Sequence, residues 1–165
     1  MLTLYNVISQ DGFIARADGD EDFIPDELWV DFIDLCKKHD AVIISRKTYE
    51  AINKYPENLV KAFEDLNIKR VIVTKNPDFV ASPKYVIVHS LEEAIKAGQN
   101  ILLSSGAILN QAFLERNLVD QVILNILPVK IGVGIKAFVN QPRLSLVNEK
   151  IFSDGRKWRV CQLEK

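Results

Sequence analysis

The sequence predicts an α/β fold: a three-layer α/β/α sandwich around a mixed, mainly parallel sheet with an antiparallel C-terminal edge. Three observations lead there. Short β-branched runs alternate with helical patterns through most of the 165 residues, the mark of parallel strands joined by crossover helices. These runs are continuously apolar, as strands covered on both faces are. The last stretch turns to strands alone, which adds the antiparallel edge.

The elements follow in order. Residues 2–8 (LTLYNVI) read as a buried strand, and residues 10–20 (QDGFIARADGD) as a loop with two Asp-Gly pairs whose Phe13 and Ile14 fold back onto the body. Residues 26–38 read as a helix: Leu28, Trp29, Phe32, Ile33, Leu35 and Cys36 recur at helical spacing, and Pro25, Asp26 and Glu27 suit its start. A strand at 41–44 (AVII) turns through SRKTYEAI into a second helix, and 57–66 is short and helical or irregular. Strands at 70–74 and 85–89 precede a helix that Ser90 and Glu93 open as a capping box and Gly98 closes. The strand at 101–104 leads through SSGA to a helix at 107–116. The strand at 121–127 ends at Pro128, and 144–150 and 157–163 form a hairpin across Ser153, Asp154 and Gly155.

Composition narrows the function. Apolar residues make up 48%, charged residues 26%, and the net charge is -1, so the chain has no basic field to attract nucleic acid or anionic lipid. No run reaches the about 18 apolar residues of a membrane span, and the opening MLTLYNVISQDG has no basic n-region. Cys36 and Cys161 form no motif and read as reduced thiols. The expectation is one cytoplasmic domain over residues 1–165.

In an open α/β sheet, ligands bind at the carboxyl ends of the strands. Three such ends stand out: ISQDG, ISRKT and LSSGA. The latter two place small residues where a helix begins, and free N–H groups there admit phosphate; otherwise each is a tight turn.

These pieces, in this order, resemble the dihydrofolate reductase-like superfamily and, within it, the riboflavin-pathway reductase branch. The likeness runs through S-x-D-G-x-I-A (Ser9, Asp11, Gly12, Ile14, Ala15), SRKTYE at 45–50, VIVT at 71–74, S-G-A-x-L at 105–109, LVDQVIL at 118–124 and P-V-x-x-G-x-G-x-x-x-F at 128–138. It implies a reductase that uses NADPH. Carried over, Ser45, Arg46 and Thr48 would contact phosphate. Thr74 and Lys75 would lie near the adenosine ribose and its 2′-phosphate. Ser104, Ser105, Gly106, Ala107, Ile108 and Leu109 would line the pyrophosphate and nicotinamide. Ile14 and Ala15 would meet the carboxamide through backbone atoms. Two positions depart from the pattern: Ser45 and Ser105 stand where the family usually has glycine, a residue favoured for unusual dihedrals and close approach.

The resemblance also implies an acid on the first helix facing the substrate; Glu27 is the nearest counterpart and Asp26 the next, although acids there also suit the helix dipole. Asp11 either binds substrate or serves as a turn residue. No convincing proton donor is visible, and water can serve. The implied substrate is a small heterocycle: a ribosylamino-pyrimidine phosphate, 5-amino-6-(5-phosphoribosylamino)uracil or its diaminopyrimidine relative, with a dihydropteridine as the folate-type alternative. A second class of function is a nucleotide-binding module without turnover, motivated by the two serines, and a third a structural homodimer with an empty crevice. Relatives of this branch commonly pair through their last strands, so a homodimer is expected.

Gly132-x-Gly134-x-x-Ala137 has the letters of a dinucleotide fingerprint but lacks its βαβ context, and reads as a turn-forming loop. Cys36 and His39 are three apart without a second pair, so no metal is expected. His89 reads as a solvated or hydrogen-bonded strand end.

Overall fold

The computed structural model describes residues 1–164, which form two compact units. One is Asp26–Ser105; the other joins residues 1–25 to the segment from Gly106 onward.

The central unit carries α1 (Leu28–Cys36), β3 (Ala41–Ser45), α2 (Arg46–Ile52), α3 (Glu57–Glu64), β4 (Lys69–Val73), β5 (Val86–Val88), α4 (Leu91–Ala94) and β6 (Ile101–Leu103). Its strands lie in the order β5-β4-β3-β6, and each neighbouring pair is parallel. Val42, Ile43 and Ile44 are consecutive and all buried. Successive strand residues point to opposite faces, so both faces of β3 are covered, as its unbroken apolar run predicts. Below the sheet, Trp29, Phe32 and Phe63 pack ring to ring, and Trp29 Nε1 donates to Leu59 O at 2.8 Å, tying α1 to α3. Arg70 is buried beside the Phe63 and Tyr85 rings and donates to the carbonyls of Phe63, Leu66 and Lys84. Backbone oxygens, rather than a carboxylate, thus satisfy this cation.

The second unit carries β1 (Leu2–Ser9), β2 (Phe13–Arg16), α5 (Ala107–Glu115), β7 (Gln121–Leu127), β8 (Gly134–Lys136), β9 (Leu144–Ile151) and β10 (Lys157–Leu163). Its larger sheet runs β1-β7-β10-β9. The β1–β7 pair is parallel, while β10 runs antiparallel to both β7 and β9. The expected mixed, mainly parallel pairing with an antiparallel C-terminal edge is therefore present. Gly155, at φ 85, makes the expected hairpin turn. Asn110 on α5 is fully buried and donates to Asn6 Oδ1 at 2.8 Å and to Ala137 O at 3.1 Å, fixing the helix on β1.

Several boundaries differ from expectation. Residues 10–20 are not wholly loop, and the glycine-bearing turn is not wholly turn: β2 and β8 pair as a separate two-stranded sheet. The first helix begins at Leu28, after Asp26 and Glu27, with Glu27 as an N-cap lacking a side-chain bond. The helix expected from Ser90 is a single α turn, α4, followed by a 3-10 turn at Ile95–Ala97. Ser90 Oγ does accept from Glu93 N, but the Glu93 carboxylate accepts from His89 N, one residue before the cap. Gly98 is extended rather than left-handed. Its role is close approach: a Cβ there would lie 2.6 Å from Asp40 Cβ.

Cys36 and Cys161 are free and buried. Burial pushes both thiols up, so neither is a ready nucleophile. Among the described residues, no helix is long and apolar enough to cross a membrane, and no group of three or more His, Cys, Asp or Glu side chains could hold a metal ion.

Candidate cofactor-binding site

Within the central unit, β3 and β6 end side by side. Ser45 caps α2: its Oγ accepts from Thr48 N at 3.2 Å and lies 3.0 Å from Thr48 Oγ1. Its backbone N–H donates to Ser105 Oγ at 3.2 Å, and Ser104 N donates to Ile43 O at 3.0 Å. Neither serine has a positive φ; Ser45 is plainly extended. The two departures from glycine therefore impose no backbone strain, and the Ser105 hydroxyl accepts from the Ser45 backbone. Arg46 follows Ser45 and leans toward Glu50 at 3.7 Å with its side chain well exposed.

At the end of β4, Thr74 is buried; its N–H donates to Val88 O, and its Oγ1 accepts from Asn76 N at 3.1 Å. Thr74 O accepts from His89 Nδ1 at 2.8 Å, which makes His89 a hydrogen-bonded strand end. Lys75 is exposed beside them.

Within the other unit, Gly106 is the N-cap of α5, extended at φ -80 and ψ 172, with no side-chain cap. The first N–H groups of the helix, at Ala107, Ile108 and Leu109, thus lack the cap that Ser45 gives α2. A Cβ built on Gly106 would meet no atom within 4 Å. The backbone does not demand glycine here and neither does packing, so the position leaves room in front of an uncapped positive helix end. Ile108 is 77% exposed at that end.

Ile14 and Ala15 lie on β2. Ala15 is buried and pairs with Ile135 on β8, and the register shifts between Phe13 and Ala15. Ile14 falls in that irregularity, half-buried and without a cross-strand partner. A bulge of this kind re-aims backbone and side chain. Gly134 permits it, because its Cβ would lie 2.3 Å from Ala15 O.

The two candidate acids differ in setting. Glu27 is exposed, ahead of α1. Asp11 accepts from Ser9 Oγ at 2.7 Å, Gly132 N at 2.8 Å and Ile131 N at 3.1 Å. The Ser9 hydroxyl and the two amides together hold its carboxyl at about 2, so it is ionised at neutral pH and has no proton to give. Sequence reasoning named Asp11 as a substrate ligand or else a turn residue, but not its partners, which lie 120 and 121 positions away. It also missed Asn110 and the close approach at Gly134, and it had Ser9 only as a motif residue, without its bonds to Asp11 and Phe13.

Residues 1–159 match the RibD C-terminal domain family. The uncharacterized protein YwjB of Bacillus subtilis (strain 168) is 29% identical over 165 residues, covering 92% of each chain. RibD of Acinetobacter baumannii (form 1) has a TM-score of 0.77 at 19% identity, covering 99% of this chain and 58% of that one. Dihydrofolate reductase from Enterococcus faecalis, complexed with NADP(H) and RAB-propyl, has a TM-score of 0.70 at 14% identity, covering 100% and 97%. At such identities the structural likeness is one of fold, and the fold is dihydrofolate reductase-like. With nearly the whole chain matched, the protein belongs to the RibD C-terminal domain family.

Proposed function

We propose that this chain is an NADPH-dependent reductase of a small heterocyclic substrate, of the kind represented by 5-amino-6-(5-phosphoribosylamino)uracil. The observation that carries the reading is the start of α5: an N-terminus with no side-chain cap, led by a glycine that neither the backbone nor packing requires. A pyrophosphate fits such a place, because backbone N–H groups and the helix dipole both favour an anion there. In this reading Gly106 admits the pyrophosphate, Ala107, Ile108 and Leu109 donate to it, and Ile108 covers it. Arg46 and Thr48 hold a further phosphate, and Thr74 and Lys75 take the adenosine ribose with its 2′-phosphate. Ser104 and Ser105 shape the turn, with Ser105 holding Ser45 in place. Ile14 and Ala15 orient the nicotinamide carboxamide. Bound NADPH supplies a hydride; the chain's residues position it and exclude water. Glu27 is the carboxylate assigned to the substrate, and solvent is the source of the proton.

Calorimetric titration with NADPH and, separately, NADH tests the reading. Micromolar binding that favours NADPH is the expected result, followed by loss of NADPH absorbance with the pyrimidine substrate. Binding without turnover on any pyrimidine or pteridine would favour the non-catalytic module; binding of neither nucleotide would defeat the cofactor assignment.

The same reading makes the protein a cytoplasmic homodimer. Its two thiols are buried and unpaired, as suits a reducing compartment. β9 is an edge strand of eight residues with Leu146, Val147 and Ile151 exposed, and an unpaired edge carrying apolar side chains can pair with another chain. Light scattering at micromolar concentration is expected to give twice the 18.7 kDa chain mass, falling to one chain in a Leu146→Lys/Val147→Lys variant. A monomeric wild type would exclude the dimer.

A further inference from the structure

We propose that Asp11 is a positioning residue: its carboxylate clamps the β1–β2 loop to the β7–β8 loop and so sets the backbone of Ile14 and Ala15. Its functional part rests on the cofactor reading above; the clamp itself does not.

Three successive residues of the first loop bond to the other segment: Gln10 and Asp11 hold two points of the β7–β8 loop, and Gly12 holds the residue that follows β8. Gln10 N donates to Val129 O at 2.8 Å. The Asp11 carboxylate accepts from Ile131 N and Gly132 N. Gly12, left-handed at φ 92, accepts from Ala137 N at 3.2 Å through its carbonyl. Of these, only the Asp11 contact is made by a side chain; the other two are made by backbone atoms, that of Gly12 from a left-handed conformation that favours glycine. Behind it stands Ser9, fully buried, whose hydroxyl donates to Asp11 Oδ1 and accepts from Phe13 N at 3.0 Å. One hydroxyl therefore links the clamp to the first residue of β2, and the irregularity at Ile14 follows directly.

A carboxylate suits this place better than an amide. The hydroxyl and both loop amides are donors, and together they engage both oxygens. Asparagine would turn an NH2 group toward an N–H or O–H. All three donors lie within the protein, which gives both oxygens a structural role.

The test uses Asp11→Asn, Ser9→Ala and the double variant. Ser9 is buried and cannot touch a ligand, so it reports on the clamp alone. Amide exchange is read across the chain, and affinity is measured for NADPH and for adenosine 2′,5′-bisphosphate, which lacks the nicotinamide. Asp11→Asn is expected to speed exchange in residues 10–16 and 129–137 while leaving α5 and β10 unchanged. Ser9→Ala should act in the same direction, and the double variant should be no worse than the stronger single one, as coupled partners behave. NADPH affinity should fall about tenfold, the scale of one lost charge-assisted bond, with adenosine 2′,5′-bisphosphate unaffected; a general loss of structure would weaken both. Unchanged exchange in Asp11→Asn overturns the clamp whatever the nucleotides do. Lost NADPH binding in Asp11→Asn with none lost in Ser9→Ala also overturns it, since Asp11 would then touch the ligand itself. A wild type that binds neither nucleotide, yet loosens in both loops on Asp11→Asn, would sink the cofactor reading and leave the clamp standing.

Discussion

Replacing Arg46 by alanine is expected to weaken NADPH binding by about 10- to 150-fold, corresponding to the roughly 1.5–3 kcal/mol of a hydrogen bond to a charged group. The side chain stands at the first position of α2, directly after the Ser45 cap. Its only ion pair among the described residues is a loose one to Glu50, at 3.7 Å with both side chains substantially exposed. Such a pair contributes little to stability, so the variant should fold normally and lose affinity alone. Calorimetry reads both: the unfolding midpoint should hold while the dissociation constant rises. Lysine at the same place should recover only part of the loss, because a point charge cannot form the two-pronged contact that a guanidinium makes with phosphate. If Arg46→Ala binds NADPH as the wild type does, the phosphate path along α2 is wrong, and the start of α5 would have to hold the nucleotide without it.

The second large effect concerns folding. Gly134→Ala should destabilise the protein by about 3 kcal/mol, at the upper end for overpacking. The new Cβ would lie 2.3 Å from Ala15 O, a backbone atom that cannot turn aside. Gly132→Ala is the internal comparison. That residue needs a positive φ of 81 but has open space around it, so alanine there should cost about 1 kcal/mol. Urea unfolding should rank Gly134 well above Gly132, with lower midpoints and unchanged slopes. Equal costs at the two positions would mean that β2 and β8 do not approach as closely as the structure places them.

That ranking also shows what the sequence could reveal. Its glycine fingerprint letters drew attention to residues 132–137 but not to the reason for the glycines, because the reason lies on β2, more than a hundred positions away. Elements whose signals are local were legible. Residues 121–127 were delimited in full by an apolar run and Pro128, and the last hairpin by its glycine turn. β2 and β8 were not, since strands of 4 and 3 residues are too short to display a period. The site divides in the same way. Small residues at strand ends marked Ser45, Ser105 and Gly106, and the family resemblance ordered them. The bond between Ser45 and Ser105 spans 60 positions, so the sequence showed two missing glycines where the structure shows the Ser105 hydroxyl accepting from the Ser45 backbone and the Ser45 hydroxyl capping α2. Arg70 escaped notice for a related cause: its partners are carbonyl oxygens, which every residue carries and no pattern marks.

Gly106 separates two demands that usually coincide. Nothing within 4 Å would resist a methyl group there, and the backbone is in a region open to any residue. A screen that scores only survival of the fold is blind to this position. On the proposed cofactor reading the position is nevertheless constrained, because a pyrophosphate at the start of α5 would need the space a side chain there would take. On that reading such a site can be lost to drift without any sign in expression or melting behaviour, and a relative carrying a larger residue here would fold well and no longer bind the nucleotide.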